Sequence, residues 1–403
     1  MFKRVCIATF SVYEKNERTA INGMIEPLLS FFTPRSQTID LIDGPHPGSA
    51  TVLTKFETHN EKNSITSLSY VSKVLSPFLS IQNQNGTQIL FKLRDFLSVF
   101  EFALKTRKHY DIYIGLESIY TLAGILLKKI GFTHTVVYYV SDYSPKRYKQ
   151  KILNNFYLWL DRFCCYNADY IWDVSPAMMP ARVKAGLIKK RAKPSLVVPN
   201  GLFPNQISII PQHKLEKNSL VFAGTFGEEN GTLLAIEAMV IVQKNIPGAK
   251  LHFYGGSKIL EIQLQKKVAL LGLENSIIFH GFIPDAATLS ETIKKYMIGL
   301  APYIGIPGSP RWYADATKIR LYMGAGLPTI TTQVPPLGKE VEKKNASIVV
   351  KDAKENVAEA IIQLLKNKEL YSSMRASAIK FAKENTWENS YASALKKMKI
   401  NDK

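Results

Sequence analysis

Apolar residues recur along this chain in two periods that take turns. Runs such as RVCIATF (4–10), TIDLID (38–43), YDIYIG (110–115), HTVVYYV (134–140), DYIWDV (169–174) and SLVVPN (195–200) are rich in aliphatic and aromatic residues, the pattern of strands buried on both faces. Between them apolar positions fall at helical spacing, over 18–33, 91–108, 118–131, about 145–166 and 176–186. Residues 46–64 show neither period and read as irregular. The second half repeats the alternation, with strands predicted at 219–225, 250–256, 276–282, 297–303 and 347–350 and helices at 230–245, 258–272, 286–296 and after Lys354. ADATKIRLYMGAGLPTITT (314–332) predicts a short helix stopped by Gly326 and Pro328, then a strand over Thr329–Thr332. Such βα repetition predicts parallel sheets covered by helices. The prolines of PNGLFPNQISIIPQ (199–212) mark the break between two doubly wound domains, 1–200 and 201–385, with 386–403 a closing helix packing back toward the first.

Composition supports a large core: 403 residues, 46% apolar and 21% charged. Three cysteines, two of them adjacent, provide no disulfide framework and suit a reducing, cytoplasmic setting. Met1-Phe2-Lys3-Arg4 runs into a first strand rather than a signal peptide, and no apolar run is long enough to cross a bilayer. The net charge of +19 calls for anionic partners. The basic residues are dispersed and no helix-turn-helix or aromatic RNA-binding motif occurs, so nucleic acid is not expected. One stretch, 144–166, starts with Lys146, Arg147, Lys149 and Lys151 and then places Ile152, Leu153, Phe156, Leu160 and Phe163 on one helical face. With KKRAK (189–193) it suits the surface of an anionic inner membrane leaflet; equally, that face is simply core.

Ligands of open α/β sheets bind where strands end and helices begin. In the second half these places hold Gly224, Thr225 and Asn230; Tyr254 and Gly255; Gly281 and Phe282; and the 303–318 loop with Arg311. Thr317 and Lys318 head the short helix, just after Asp315. Asp315 or Thr317 there suits an ordinary cap, but a lysine at the positive end of a helix dipole is unfavourable unless an anion occupies the site. In the first half Glu117 and Asp142 both follow strands. Each either positions an acceptor hydroxyl and steadies developing positive charge, or caps the next helix. The seven histidines form no metal-like cluster, and neither a metal nor a cofactor is expected.

AGTFGEENGTLLAIEAM (223–239), FHGFIPD (279–285), TKIRLYMGAGLPTITT (317–332) and NTWENS (385–390) resemble the donor domain of group 1 (GT4-like) glycosyltransferases. VVPNG (197–201) is similar to their interdomain crossover, and VVYYVSDYSPKRY (136–148) and CYNADYIWDVSP (165–176) to the acceptor domain of one bacterial branch. Where the family carries an Arg and a Lys after the first donor-domain strand, this chain has Thr225 and Asn230. The positions of its paired glutamates read Tyr313 and Leu321. A branch with D-x-x-K before the helix, here Asp315 and Lys318, is more similar. The resemblance implies a GT-B fold, two Rossmann-like domains facing across a cleft. It implies a nucleotide-sugar donor, a hydroxyl of a glycan or lipid-linked acceptor, retained anomeric configuration and no catalytic metal. Lys318 would then neutralise the leaving diphosphate with Arg311 as second cation, and Asp315 would hold a sugar hydroxyl or orient Lys318. A sugar-nucleotide epimerase of the same fold and a non-catalytic sugar-nucleotide or glycan-binding subunit remain as alternatives.

Overall fold

Strand β1 (Phe2–Ser11) lies inside an eight-stranded sheet because Val5, Ile7 and Ala8 have no exposed surface to keep. The computed structural model describes residues 1–14, 17–19, 23–60, 63–79 and 84–400. The chain divides into two units, Met1–Val198 with Tyr391–Lys403, and Pro199–Ser390.

In the first unit, β1 is followed by the short antiparallel pair β2 (Tyr13–Glu14) and β3 (Glu17–Arg18), then helix α1 (Ile25–Phe32) and β4 (Ser36–Pro45). Of the helix predicted over 18–33, residues 20–22 lie outside the described residues. The stretch 46–64, expected to be irregular, instead holds β5 (Lys55–His59) and leads into β6 (Ser64–Leu68), which extend the sheet antiparallel. Every side chain of β6 is exposed, so a strand with no buried face left no period-2 signal. Helices α2 (Tyr70–Leu75), α3 (Gln84–Thr106) and α4 (Ser118–Lys129) alternate from there with β7 (Tyr110–Leu116) and β8 (Thr133–Val140). Helix α5 (Lys151–Asn167), β9 (Tyr170–Asp173), α6 (Met178–Lys184) and β10 (Ser195–Val197) complete it. The order is β10-β9-β8-β7-β1-β4-β5-β6, parallel apart from the last two strands. Helix α5 starts at Lys151, not near Pro145, because Asn154 ties up the approach: its Oδ1 accepts from Tyr148 N at 3.1 Å and its Nδ2 donates to Pro145 O at 2.9 Å.

The second unit is a six-stranded, wholly parallel sheet. Its strands are β11 (Ser219–Ala223), β12 (Lys250–Tyr254), β13 (Ile277–Phe279), β14 (Ile298–Ala301), β15 (Thr329–Thr332) and β16 (Ser347–Val350), in the order β13-β12-β11-β14-β15-β16. Helices α7 (Thr232–Asn245), α8 (Lys258–Leu270), α9 (Ala286–Ile293), α10 (Thr317–Gly324), α11 (Pro336–Lys343), α12 (Lys354–Lys366) and α13 (Lys368–Glu384) connect and cover them. The core forms two clusters, one around Phe222, Met239 and Phe253, the other around Ile319, Tyr322 and Ile293. Helix α14 (Trp387–Lys397) crosses the division: from Tyr391 onward the chain belongs to the first unit, where the Tyr391 ring stacks on Trp172 at 5.9 Å. Among the described residues no helix is long and apolar enough to cross a membrane.

Candidate active site

At the carboxyl ends of β11, β12 and β13 three glycines form a seam of bare backbone. Gly224 N donates to Tyr254 O at 2.8 Å, and Gly255 N donates to Gly281 O at 2.7 Å. Gly255 has φ +119°, and a Cβ on it would stand 2.2 Å from Gly224 O, so only glycine fits. Gly224 has φ +126°, and a Cβ there would meet Lys318 Cε at 3.2 Å. Thr225 and Phe282 are exposed beside this seam. The loop before α7 folds back on itself: Gly227 N donates to Thr232 Oγ1 at 3.0 Å, and that hydroxyl donates to Gly227 O at 3.2 Å. Asn230 is buried within this loop. Tyr254, proposed from sequence as a donor contact, points elsewhere. Its ring is buried against His280 at 4.5 Å and its hydroxyl bonds to that of Tyr296 at 2.7 Å, so only its carbonyl belongs to the seam.

Lys318 is the centre of the arrangement. It is the second residue of α10, yet only 8% exposed, not a solvated residue at a helix start. Its ammonium stands 3.7 Å from the centre of the Phe222 ring and 5.2 Å from that of Tyr303, and Nζ has no hydrogen-bond partner. Burial pushes its pKa well below the usual lysine range, and the charge of Arg311 pushes the same way. Arg311 stands in a one-turn helix, Pro310–Trp312, with its guanidinium 5.8 Å from the Tyr303 ring and its buried Nε also without a partner. Two cations thus share one aromatic wall, and among the described residues no carboxylate pairs with either. A buried ammonium with neither anion nor acceptor costs stability unless something arrives to take its charge. Phe222 was invisible as part of this site in the sequence, since it reads as a strand residue, whereas Tyr303 opens the 303–318 loop.

Asp315 does not serve Lys318. Its buried carboxylate accepts from Arg320 Nε at 2.8 Å and Nη2 at 3.1 Å, and from Asn200 N at 2.8 Å. With these three donors on it, the carboxylate fastens α10 to the segment that opens the unit, and neither a sugar hydroxyl nor Lys318 is its partner. Nor is it the cap: Ala316 occupies that position, without a side-chain bond. Thr317 opens the helix and is exposed.

In the first unit Glu117 directly follows β7 with φ +74° and ψ 161°, a conformation essentially confined to glycine. It holds the cap position of α4 but makes no capping bond. Its carboxylate lies between two cations, Lys92 Nζ at 2.8 Å and Arg147 Nη2 at 2.8 Å. Burial alone would raise its pKa, but Lys92 and Arg147 together hold it at about 2. The carboxyl is therefore ionised near neutral pH, with its charge already answered by two cations of its own unit. Lys92, on α3, gave no signal in the sequence. Asp142 is half exposed; its carboxylate is 3.3 Å from Arg147 Nη1, which also donates to the Asp142 carbonyl at 3.1 Å. It caps no helix, because α5 begins nine residues later.

Known structures share this architecture. Sucrose-phosphate synthase from Thermosynechococcus elongatus aligns over 98% of each chain with a TM-score of 0.73 at 14% identity. HepE of Anabaena in complex with UDP aligns over 98% of this chain and 100% of its own, with a TM-score of 0.66 at 15% identity. WaaG, a glycosyltransferase involved in lipopolysaccharide biosynthesis, aligns over 97% and 98% with a TM-score of 0.62 at 13% identity. The fold is GT-B. Within this GT-B chain, residues 217–367 match the family model described as glycosyl transferases group 1, which bears out the resemblance over the second unit. No curated protein matches the chain significantly.

Proposed function

We propose that this GT-B protein is a glycosyltransferase that moves a sugar from a nucleotide-sugar donor to a hydroxyl of a glycan or lipid-linked acceptor, with retention and without a cofactor. The observation that carries it is the buried, unpartnered Lys318 ammonium with Arg311 beside it, at the glycine seam where strands of a parallel sheet end. That place favours a diphosphate: backbone without side chains lets it approach, and two cations answer its charge. HepE, similar in fold, is known in complexes with UDP and with UDP-glucose. The acceptor oxygen bonds to the anomeric carbon on the face from which the phosphate oxygen departs. The hydroxyl proton passes to that phosphate oxygen. Lys318 and Arg311 stabilise the charge left on the diphosphate as the bond breaks.

Nucleoside diphosphates should stabilise the chain by about 2.7 kcal/mol at a hundredfold excess over Kd. The check is thermal unfolding with UDP and GDP, beside formation of free UDP from UDP-glucose when acceptor is added. If neither diphosphate moves the transition at millimolar concentration, the site is not what we propose.

A further inference from the structure

Helices α3, α4 and α5 pack side by side on the first unit, and each turns apolar side chains outward. Leu93, Leu97 and Leu104 of α3 are exposed, and Ile119, Leu122 and Leu126 of α4 are partly so. Helix α5 carries two apolar stripes rather than the single face expected from its sequence. Leu153, Tyr157, Leu160 and Cys164 recur at four- and three-residue steps and lie partly or wholly buried. Ile152, Phe156, Trp159 and Phe163 recur in the same way one position earlier; the first three are exposed, Ile152 87% and Trp159 52%, and Phe163 is half-buried. Phe156, Trp159 and Phe163 stack nearly parallel at 5.8 and 5.9 Å, a ready-formed aromatic ridge.

The ridge has a basic rim. Lys146, Lys149 and Lys151 are exposed at its amino end. At the other end the turn bearing Lys189, Lys190 and Arg191 is docked on α5: Ile188 N donates to the Tyr166 hydroxyl at 2.8 Å, and the Arg191 guanidinium covers the Tyr166 ring at 4.8 Å. From 143 to 168 the only acidic residue is Asp161, buried against Arg182, and from 174 to 215 there is none. Two copies of this chain meeting through the ridge would bring these positive rims together. A negatively charged lipid surface complements them and accepts the apolar ridge at the boundary of headgroups and acyl chains, where Trp is favoured.

We propose that this face of the first unit docks on an anionic lipid bilayer, with Ile152, Phe156 and Trp159 entering it and the flanking lysines and arginines on lipid phosphates. The proposal stands independently of the transfer reaction. The test is sedimentation of the full chain with vesicles of phosphatidylcholine alone or mixed with phosphatidylglycerol. Binding should be about tenfold tighter or more on the mixed vesicles and weaken with salt. Tryptophan emission should shift to the blue, since Trp172 and Trp387 are already buried. The Trp159→Phe variant should lose most of that shift yet still sediment. The combined Ile152→Ser, Phe156→Ser and Trp159→Ser variant should bind about tenfold less or worse at an unchanged melting temperature. Lys189→Glu, Lys190→Glu and Arg191→Glu together should lose only the preference for anionic vesicles. Wild-type binding to neither vesicle, or undiminished binding of the serine variant, overturns the proposal. So does light scattering that shows a wild-type dimer turned monomeric by the serine substitutions, which would assign the ridge to a second copy.

Discussion

Each of the two sheets ends, at its carboxyl edge, in a cluster of charged side chains, and the two clusters are built in opposite ways. In the first unit Glu117 lies between Lys92 and Arg147, and Arg147 reaches Asp142 as well, so each charge meets an opposite one. In the second unit Lys318 and Arg311 lie against the aromatic rings of Phe222 and Tyr303 with no carboxylate on either, while the nearest candidate, Asp315, is spent on Arg320. A closed cluster has settled its electrostatics within the fold, and its removal should register mainly as lost stability. An open one has been left incomplete at some cost to folding, which is the mark of a place where charge is supplied by what binds.

The largest effect separating the two should come from Lys318→Met, which keeps most of the length of the side chain and deletes its charge. The ratio kcat/KM should fall by about a hundredfold or more, a loss of about 2.7 kcal/mol in the transition state. Stability should not fall with it. The contact with Phe222 is worth about 0.5–2 kcal/mol, while burying this amine without a partner, charged or neutralised, costs at least as much, so the urea midpoint should stay level or rise. Wild-type turnover in this variant would break the comparison. Glu117→Gln comes next. A carboxyl held at about 2 against an ordinary 4.5 corresponds to about 3 kcal/mol, which its partial exposure reduces to about 2. The sign follows from a depressed folded-state pKa. The stability is present above the ordinary carboxyl range and is lost as pH falls from about 5 toward 2. Urea unfolding near neutrality and near pH 3 should show wild type losing this increment while the variant, which lacks it, changes less. Asp142→Ala is the smallest: half exposed and with one long ion pair, it should cost under about 0.5 kcal/mol. Steady-state kinetics should change less than about twofold; a hundredfold drop would place Asp142 on the acceptor and mean that the first cluster is open too.

Much of the fold was legible because buried parallel strands announce themselves as apolar runs. Thr329–Thr332 is read to the residue, bounded by the Gly326 and Pro328 stops. The β5–β6 hairpin was not, since its outer strand buries nothing, and α5 was started six residues too early because a side-chain clasp by Asn154 leaves no periodic trace. The candidate site divides the same way. That Lys318 stands at a helix start was plain in the sequence. That it lies under Gly224 and over Phe222 depends on packing between residues about a hundred positions apart, and Asp315 turns instead to Arg320 in the same helix and to Asn200 N. Spacing alone put Asp315 and Lys318 together; the fold gave each a different neighbour.

The return of the last residues to the first unit sets an order on biosynthesis. Tyr391 stacks on Trp172 and lies against Phe31, so the surface that receives it is made early and filled last. Between the two events the ribosome must deliver the 192 residues of Pro199–Ser390, roughly 10–40 s at ordinary elongation rates. Throughout that interval the nascent first unit displays an aromatic socket with nothing in it, while the second unit has its whole sequence in one continuous stretch and can complete itself as it emerges. The part of the protein that is translated first is therefore the part that is finished last.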